Sequence, residues 1–224
     1  MPRSIRPLDI AVWVPYVALA AIHVVTLAVS SPIAAPTKLT LMPLLALPVI
    51  AALPRLRPRA ASVLLLAALL FSWLGDGAGT FFPAAPELPL MLLFFGIAHI
   101  AYIALFLRHA RIRRLPWWTL VYAAWWVGML AFLGPHTGAL FPAVAAYGLV
   151  LAGTAATSAR CHPIVATGGA FFLASDTILA FRLFLPDAMP DWTSPAVMLT
   201  YTLGQGLIVF GILRTLTTAE EPTR

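Results

Sequence analysis

Charge is the first thing this sequence lacks. Only 10% of its 224 residues are charged, against about 25% in ordinary soluble domains, while 61% are hydrophobic and the mean hydropathy is +0.93. A soluble globular fold is excluded. Cysteine is scarcer still: Cys161 stands alone, so no internal disulfide can form, and no Cys/His cluster has the spacing of a structural zinc site. Also missing are a G-x-S-x-G elbow, an H-E-x-x-H pair and a P-loop, and with them the commonest signatures of serine hydrolases, zinc hydrolases and nucleotide-driven machines. What is present is long apolar runs. Eight membrane helices of about 20 residues each would use roughly 160 residues and leave about 64 for connections and tails. No extramembrane domain fits in that remainder, so residues 1–224 are read as one integral membrane domain.

Runs bounded by Pro, Gly and Arg predict helices at 10–29, 38–53, 60–82, 88–107, 116–133, 139–158, 163–185 and 193–216. Arg3 and Arg6 lie close before the first run, which carries no convincing cleavage pattern, so it is read as a retained helix rather than a signal peptide. The formal charge is +6, yet the basic residues form no patch or stripe suited to nucleic acid. They follow the connections. With eight helices, Arg3 and Arg6, Arg55, Arg57 and Arg59, Arg108, Arg111, Arg113 and Arg114, Arg160, and Arg214 and Arg224 all fall on one side. Glu87, His136, Asp187 and Asp191 fall on the other. Positive charge resists translocation, which predicts both termini in the cytoplasm. The Arg-rich, Ala-rich composition points to a bacterial inner membrane. Pro43 and Pro48 predict a kinked second helix.

Phe71 to Asp76 in the third helix is echoed by Phe171 to Asp176 in the seventh, 100 residues later. The expected architecture is therefore all-α and polytopic, eight transmembrane helices, with an echo that fits a parallel 4+4 repeat.

Two carboxylates lie where they are costly. A charged residue in the bilayer costs roughly 2.5–3.5 kcal/mol on insertion scales, and at 1.5 Å per residue Asp76 and Asp176 lie about 24 and about 20 Å from the arginine-rich side. Similar depth allows them to meet. His99 and Tyr102 share a face of the fourth helix, and Tyr201 and Gln205 a face of the eighth. From the opposite side their depths are about 17 Å for His99 and roughly 12 and 18 Å for the eighth-helix pair. Singly, such residues serve as interhelical glue. Together with Lys38 and the aspartates they populate one layer from five helices, which predicts a polar pocket that His23 and Tyr147 could join. Read on residues alone, that pocket suits a hydrolase, a lipid-binding or proton-coupled carrier, or a metal-dependent lipid hydrolase with His23 and His99 as ligands.

The ordered motifs resemble the YhhN family, which includes the lysoplasmalogenases. The most specific piece is Gly169-Ala-Phe171-Phe-Leu-Ala-Ser175-Asp176-Thr-Ile-Leu179-Ala180-Phe-Arg182; Thr37-Lys38, Gly75-Asp76, His99-x-x-Tyr102, Tyr147 and Tyr201-x-x-x-Gln205 are similar to the family's other marks, in the same order. The chain departs at Leu39, where the family often has proline, and near Thr154, where methionine is common. The resemblance implies hydrolysis of the vinyl ether bond of a lysophospholipid drawn from the bilayer, with Asp76 and Asp176 as the catalytic pair. It further implies Lys38 and Arg182 on the phosphate, with His99, Tyr102, Tyr147, Tyr201 and Gln205 around the headgroup and water. Neither a metal nor an organic cofactor is implied.

Overall fold

The computed structural model describes residues 11–217, which leaves Arg3, Arg6 and Arg224 outside the described residues. Among the described residues eight main helices follow one another: α1 (Val14–Ala28), α2 (Ala34–Ala52), α3 (Arg59–Asp76), α4 (Glu87–Leu105), α5 (Leu120–Leu133), α6 (Phe141–Ser158), α7 (Pro163–Phe184) and α8 (Thr193–Leu216). The protein is an all-α polytopic membrane protein. Seven of its helical segments are long and apolar enough to cross a bilayer, and α1 is a shorter apolar helix of 15 residues. At 1.5 Å per residue α1 is about 22 Å long, less than the ~30 Å hydrocarbon thickness.

Packing runs in a ring, α1 on α2, α2 on α3, α3 on α4, α4 on α6, α6 on α7, α7 on α8, and α8 back on α1. Helix α5 stands outside that ring against α6. The arginine-bearing connections meet at one end. Arg57 N donates to Leu216 O at 3.1 Å, tying the α2–α3 turn to the end of α8. Arg113 Nε donates to Ala159 O at 2.7 Å and Ile112 N to Arg160 O at 2.8 Å, tying the α4–α5 and α6–α7 connections. An even number of traverses is what brings these segments together.

Two departures from the sequence expectation shape the site. The third helix ends at Asp76, not at 82: Gly77 closes it, donating to Trp73 O at 3.0 Å, and a short separate turn, Ala78–Phe81, follows. The second helix starts a turn early, so Lys38 sits inside it. It also runs through both prolines. Pro43 cannot donate to the carbonyl of Leu39, and Trp73 Nε1 does so instead at 2.8 Å. That bond pins α2 to α3 between Lys38's neighbour and the turn before Asp76.

Candidate functional site

A cavity of about 130 Å³ opens toward the end of the bundle opposite the arginines. Its polar lining is Lys38, Asp76, Tyr147, Ser175, Asp176 and Tyr201; the rest is apolar, from Leu88 and Met91 on α4 to Leu183 on α7. Helices α2, α3, α4, α6, α7 and α8 all contribute. Tyr147, Asp176 and Tyr201 each lie six to eight residues from the near end of their helices, so the polar floor is about 9–12 Å in.

Asp76 is the last residue of α3 and its side chain is 4% exposed. A carboxylate there faces the partly negative end of the helix dipole, and donors offset that cost. Tyr201 OH donates to Oδ2 at 2.8 Å, and Lys38 Nζ lies 3.6 Å from Oδ1, its own side chain 35% exposed at the cavity mouth. Behind Tyr201, Gln205 is fully buried and satisfied at both ends. Its Nε2 donates to Ser72 Oγ at 3.0 Å and toward the Tyr201 hydroxyl oxygen at 3.4 Å, and its Oε1 accepts from Tyr102 OH. Because the phenol oxygen accepts from Gln205, its one proton is directed to Asp76.

Asp176 is held by a different set. Tyr147 OH donates to its Oδ2, and His99 Nε2 lies 3.8 Å from the same oxygen and 3.3 Å from the tyrosine hydroxyl. His99 is fully buried; its Nδ1 is 3.1 Å from Thr154 Oγ1, and its ring packs on Phe172 at 4.7 Å between centroids. Phe172 also meets Tyr201 edge-on at 5.4 Å. One aromatic ring therefore separates the two polar arms.

Of the residues singled out from sequence, Lys38, Asp76, Tyr147, Asp176 and Tyr201 line one cavity. His99, Tyr102 and Gln205 lie just behind, bonded to that lining directly or through one another. Arg182 is not brought to the cavity: its Nη1 donates to Thr193 Oγ1 at 2.5 Å and Pro190 O at 3.4 Å, bracing the α7–α8 turn. Six residues beyond Asp176, it points about 120° around the helix from the carboxylate. His23 bonds Thr37 Oγ1 through Nδ1 at 2.9 Å, next to Lys38 in sequence, and lies outside the cavity lining.

Sequence reasoning gave no place in the site to Ser72, Thr154 or Phe172. Ser72 is four residues before Asp76 and Thr154 seven after Tyr147, both on the functional face of their helices, which is the signal that could have found them. Ser175, adjacent to Asp176, donates to Val197 O at 3.0 Å and clamps α7 to α8. Cys161, outside the spans, is buried, and burial pushes its thiol up to about 12, leaving little of the reactive thiolate. Its neighbour His162 caps α7, accepting from Ile164 N at 3.3 Å. Among the described residues no three or more His, Cys, Asp or Glu side chains are grouped so as to hold a metal ion.

Residues 33–212 match the model of the YhhN family, and the chain belongs to that family. The match takes in every cavity residue from Lys38 to Tyr201. No curated protein and no solved structure gives a match.

Proposed function

We propose that this YhhN family member hydrolyses the vinyl ether bond of a lysoplasmalogen, giving a fatty aldehyde and a glycerophospho-base. The observation that carries the reading is a pair of carboxylates, Asp76 and Asp176, on one small cavity whose remaining wall is mostly apolar. Vinyl ether hydrolysis needs this combination. A proton is added to the alkene carbon, an oxocarbenium ion forms, water adds, and the hemiacetal collapses. Like charges close together in a dry site do not both ionise, so such a pair supplies one acid and one anion. The acid protonates carbon, and the anion stabilises the cation that results. Lys38, partly exposed at the mouth, has donors to spare for a phosphate oxygen. Leu88, Leu92, Val144, Leu179 and Leu183 offer an apolar path for one alkyl chain.

The deciding experiment offers the purified protein, in detergent, 1-alkenyl-lysophosphoethanolamine and 1-alkenyl-lysophosphocholine, with products identified by mass spectrometry. Aldehyde release is expected, and the 1-acyl analogues should yield none. Detergent holds no gradient, so a carrier would give no product, and that outcome overturns the reading. Within an active protein, Val144→Trp should fill the alkyl path and raise KM about tenfold or more, equivalent to about 1.4 kcal/mol of lost binding, with the melting temperature retained. An unchanged KM would place the chain elsewhere.

The same reading puts the protein in a bacterial inner membrane with both termini in the cytoplasm and the cavity in the outer half of the bilayer. The grouping of Arg55, Arg57, Arg59, Arg108, Arg111, Arg113, Arg114, Arg160 and Arg214 at one end supports this orientation. Reporter fusions at the C-terminus should be active only where they report the cytoplasm. A translocated C-terminus reverses the orientation.

A further inference from the structure

The two carboxylates occupy corresponding places in the bundle but keep opposite company. Asp76, on α3, is met by Lys38 from α2 and Tyr201 from α8. Asp176, on α7, is met by Tyr147 from α6 and His99 from α4. Exchanging the first four helices for the last four turns α3 into α7, α2 into α6 and α8 into α4. Each partner then falls on its counterpart: Lys38 answers to Tyr147, and Tyr201 to His99. The contact scheme is duplicated, whereas its charge is not. An ammonium stands in one half where a phenol stands in the other.

The oxygens are used differently as well. Asp76 has both engaged, Oδ1 facing Lys38 and Oδ2 accepting from Tyr201. Both named contacts of Asp176 fall on Oδ2, and the carboxyl lines the cavity, so Oδ1 is the oxygen left for a ligand. Asp76 also sits at a helix C-terminus, where charge is disfavoured unless a cation compensates it, whereas Asp176 is well inside α7.

We infer that Lys38 divides the labour of the pair, holding Asp76 as the fixed anion and leaving Asp176 to carry the proton that its Oδ1 hands to the substrate. Lys38 is thus a positioning residue acting through Asp76, besides any contact with a headgroup. The chemistry rests on the hydrolase reading above. The proton leaves Asp176 as the alkene's π electrons form the new C–H bond, and the oxocarbenium ion faces Asp76. Water attacks the cationic carbon and gives its proton to Asp176, which resets it. The hemiacetal then breaks its bond to the glycerol oxygen, its hydroxyl proton passing to that oxygen, so one water is consumed and both carboxyls return to their starting states.

Two arms test the assignment. The first needs no turnover. Infrared spectra of protein labelled with 13C at the aspartate carboxyls should show one neutral carboxyl at neutral pH, absent in Asp176→Asn. In Lys38→Met a second should appear, because Asp76 without its cation takes up a proton rather than remain a lone buried charge. Retention of the band in Asp176→Asn, or an unchanged spectrum in Lys38→Met, overturns the inference even if the wild type releases no aldehyde. The second arm compares a 1-alkenyl-lysophospholipid with a 1-alkenyl-glycerol that has no phosphate. If Lys38 acts through Asp76, Lys38→Met lowers kcat about 10²-fold on both, and Lys38→Arg restores most of it. A loss confined to KM and to the phosphate-bearing substrate would make Lys38 a headgroup ligand alone. Failure of the wild type in this second arm, with the first arm as expected, would overturn the hydrolase reading and leave the division of charge standing.

Discussion

Asp76→Asn and Asp176→Asn are each expected to remove nearly all aldehyde release while leaving the protein folded. Asparagine retains an oxygen that can accept from Tyr201 or Tyr147, the donors that hold these carboxyls. It can neither protonate carbon nor carry negative charge. Losing a general acid typically costs 10²–10⁴-fold, and losing a preorganised electrostatic partner about 10²–10³-fold. Burial of a neutral amide is also cheaper than burial of an unpaired charge, so the folded state should not suffer; at position 76 the amide even leaves Lys38 partly exposed and free to turn to solvent. On the proposed mechanism the two acids serve one step, so the double variant should be scarcely slower than either single one. Wild-type turnover should survive exhaustive chelation. More than about a tenth of the wild-type rate in either variant would remove that residue from the chemistry on these magnitudes. Activity lost to chelator and regained with zinc would instead favour the metal-dependent reading, with His99 and His23 as the first ligands to test.

Much of this site was legible before any coordinates, for a physical reason. In a bilayer each helix must be apolar for about 20 residues, so a polar residue inside a run is conspicuous. Asp76, Asp176, His99, Tyr201 and Gln205 were visible on that ground alone. Helices α7 and α8 fall within a residue of their expected ends because Pro163 and Trp192 mark their starts. The end of α3 was not legible. Largely apolar sequence continues to Phe82 and hides the stop at Gly77, which closes the helix by donating to Trp73 O at 3.0 Å; the need for glycine just before it is tertiary, since a Cβ at Gly75 would lie 2.5 Å from the ring of Phe95. Nor does Pro43 announce its compensation, since the donor to the carbonyl of Leu39 comes from Trp73 on another helix. Helix order is hidden for a related reason. A helix apolar on all sides can rest against lipid or protein, and α5, outermost in the bundle, is such a helix. Which polar arm His99 joins depends on α4 lying beside α6, and no periodicity in a single helix encodes its neighbour. The place of Arg182 outside the cavity lining was legible in the helical repeat, which sets it about 120° around α7 from Asp176.

Gly204→Leu should abolish the folded protein or lower its melting temperature steeply, and Gly168→Leu should do the same. Helices α7 and α8 cross at these two residues. A Cβ at Gly204 would lie 2.8 Å from Phe172 N and 3.0 Å from Gly168 O; one at Gly168 would lie 2.8 Å from both Gly204 O and Ile208 N. The obstacles are backbone atoms, which cannot change rotamer to make room, so the helices must separate. In a bilayer that is especially costly, because close approach through small residues is what holds such a crossing together. Overpacking a core commonly costs 1–3 kcal/mol, and alanine at either glycine should fall in about that range, with leucine beyond it. Gly96→Ala and Gly128→Ala are the controls, since a Cβ at either meets nothing within 4 Å; both should melt no lower than wild type, alanine being the better helix former. The crossing also bears on chemistry. Phe172, whose backbone Gly204 touches, packs against both His99 and Tyr201, and Tyr201 lies less than a turn from Gly204 on α8. Gly204→Ala should therefore lose more activity than its stability loss explains, measured below its melting temperature on the intact fraction. An alanine variant that melted and turned over like wild type would mean that α7 and α8 have slack at this crossing, and the alignment of Tyr201 with Asp76 would then need another support.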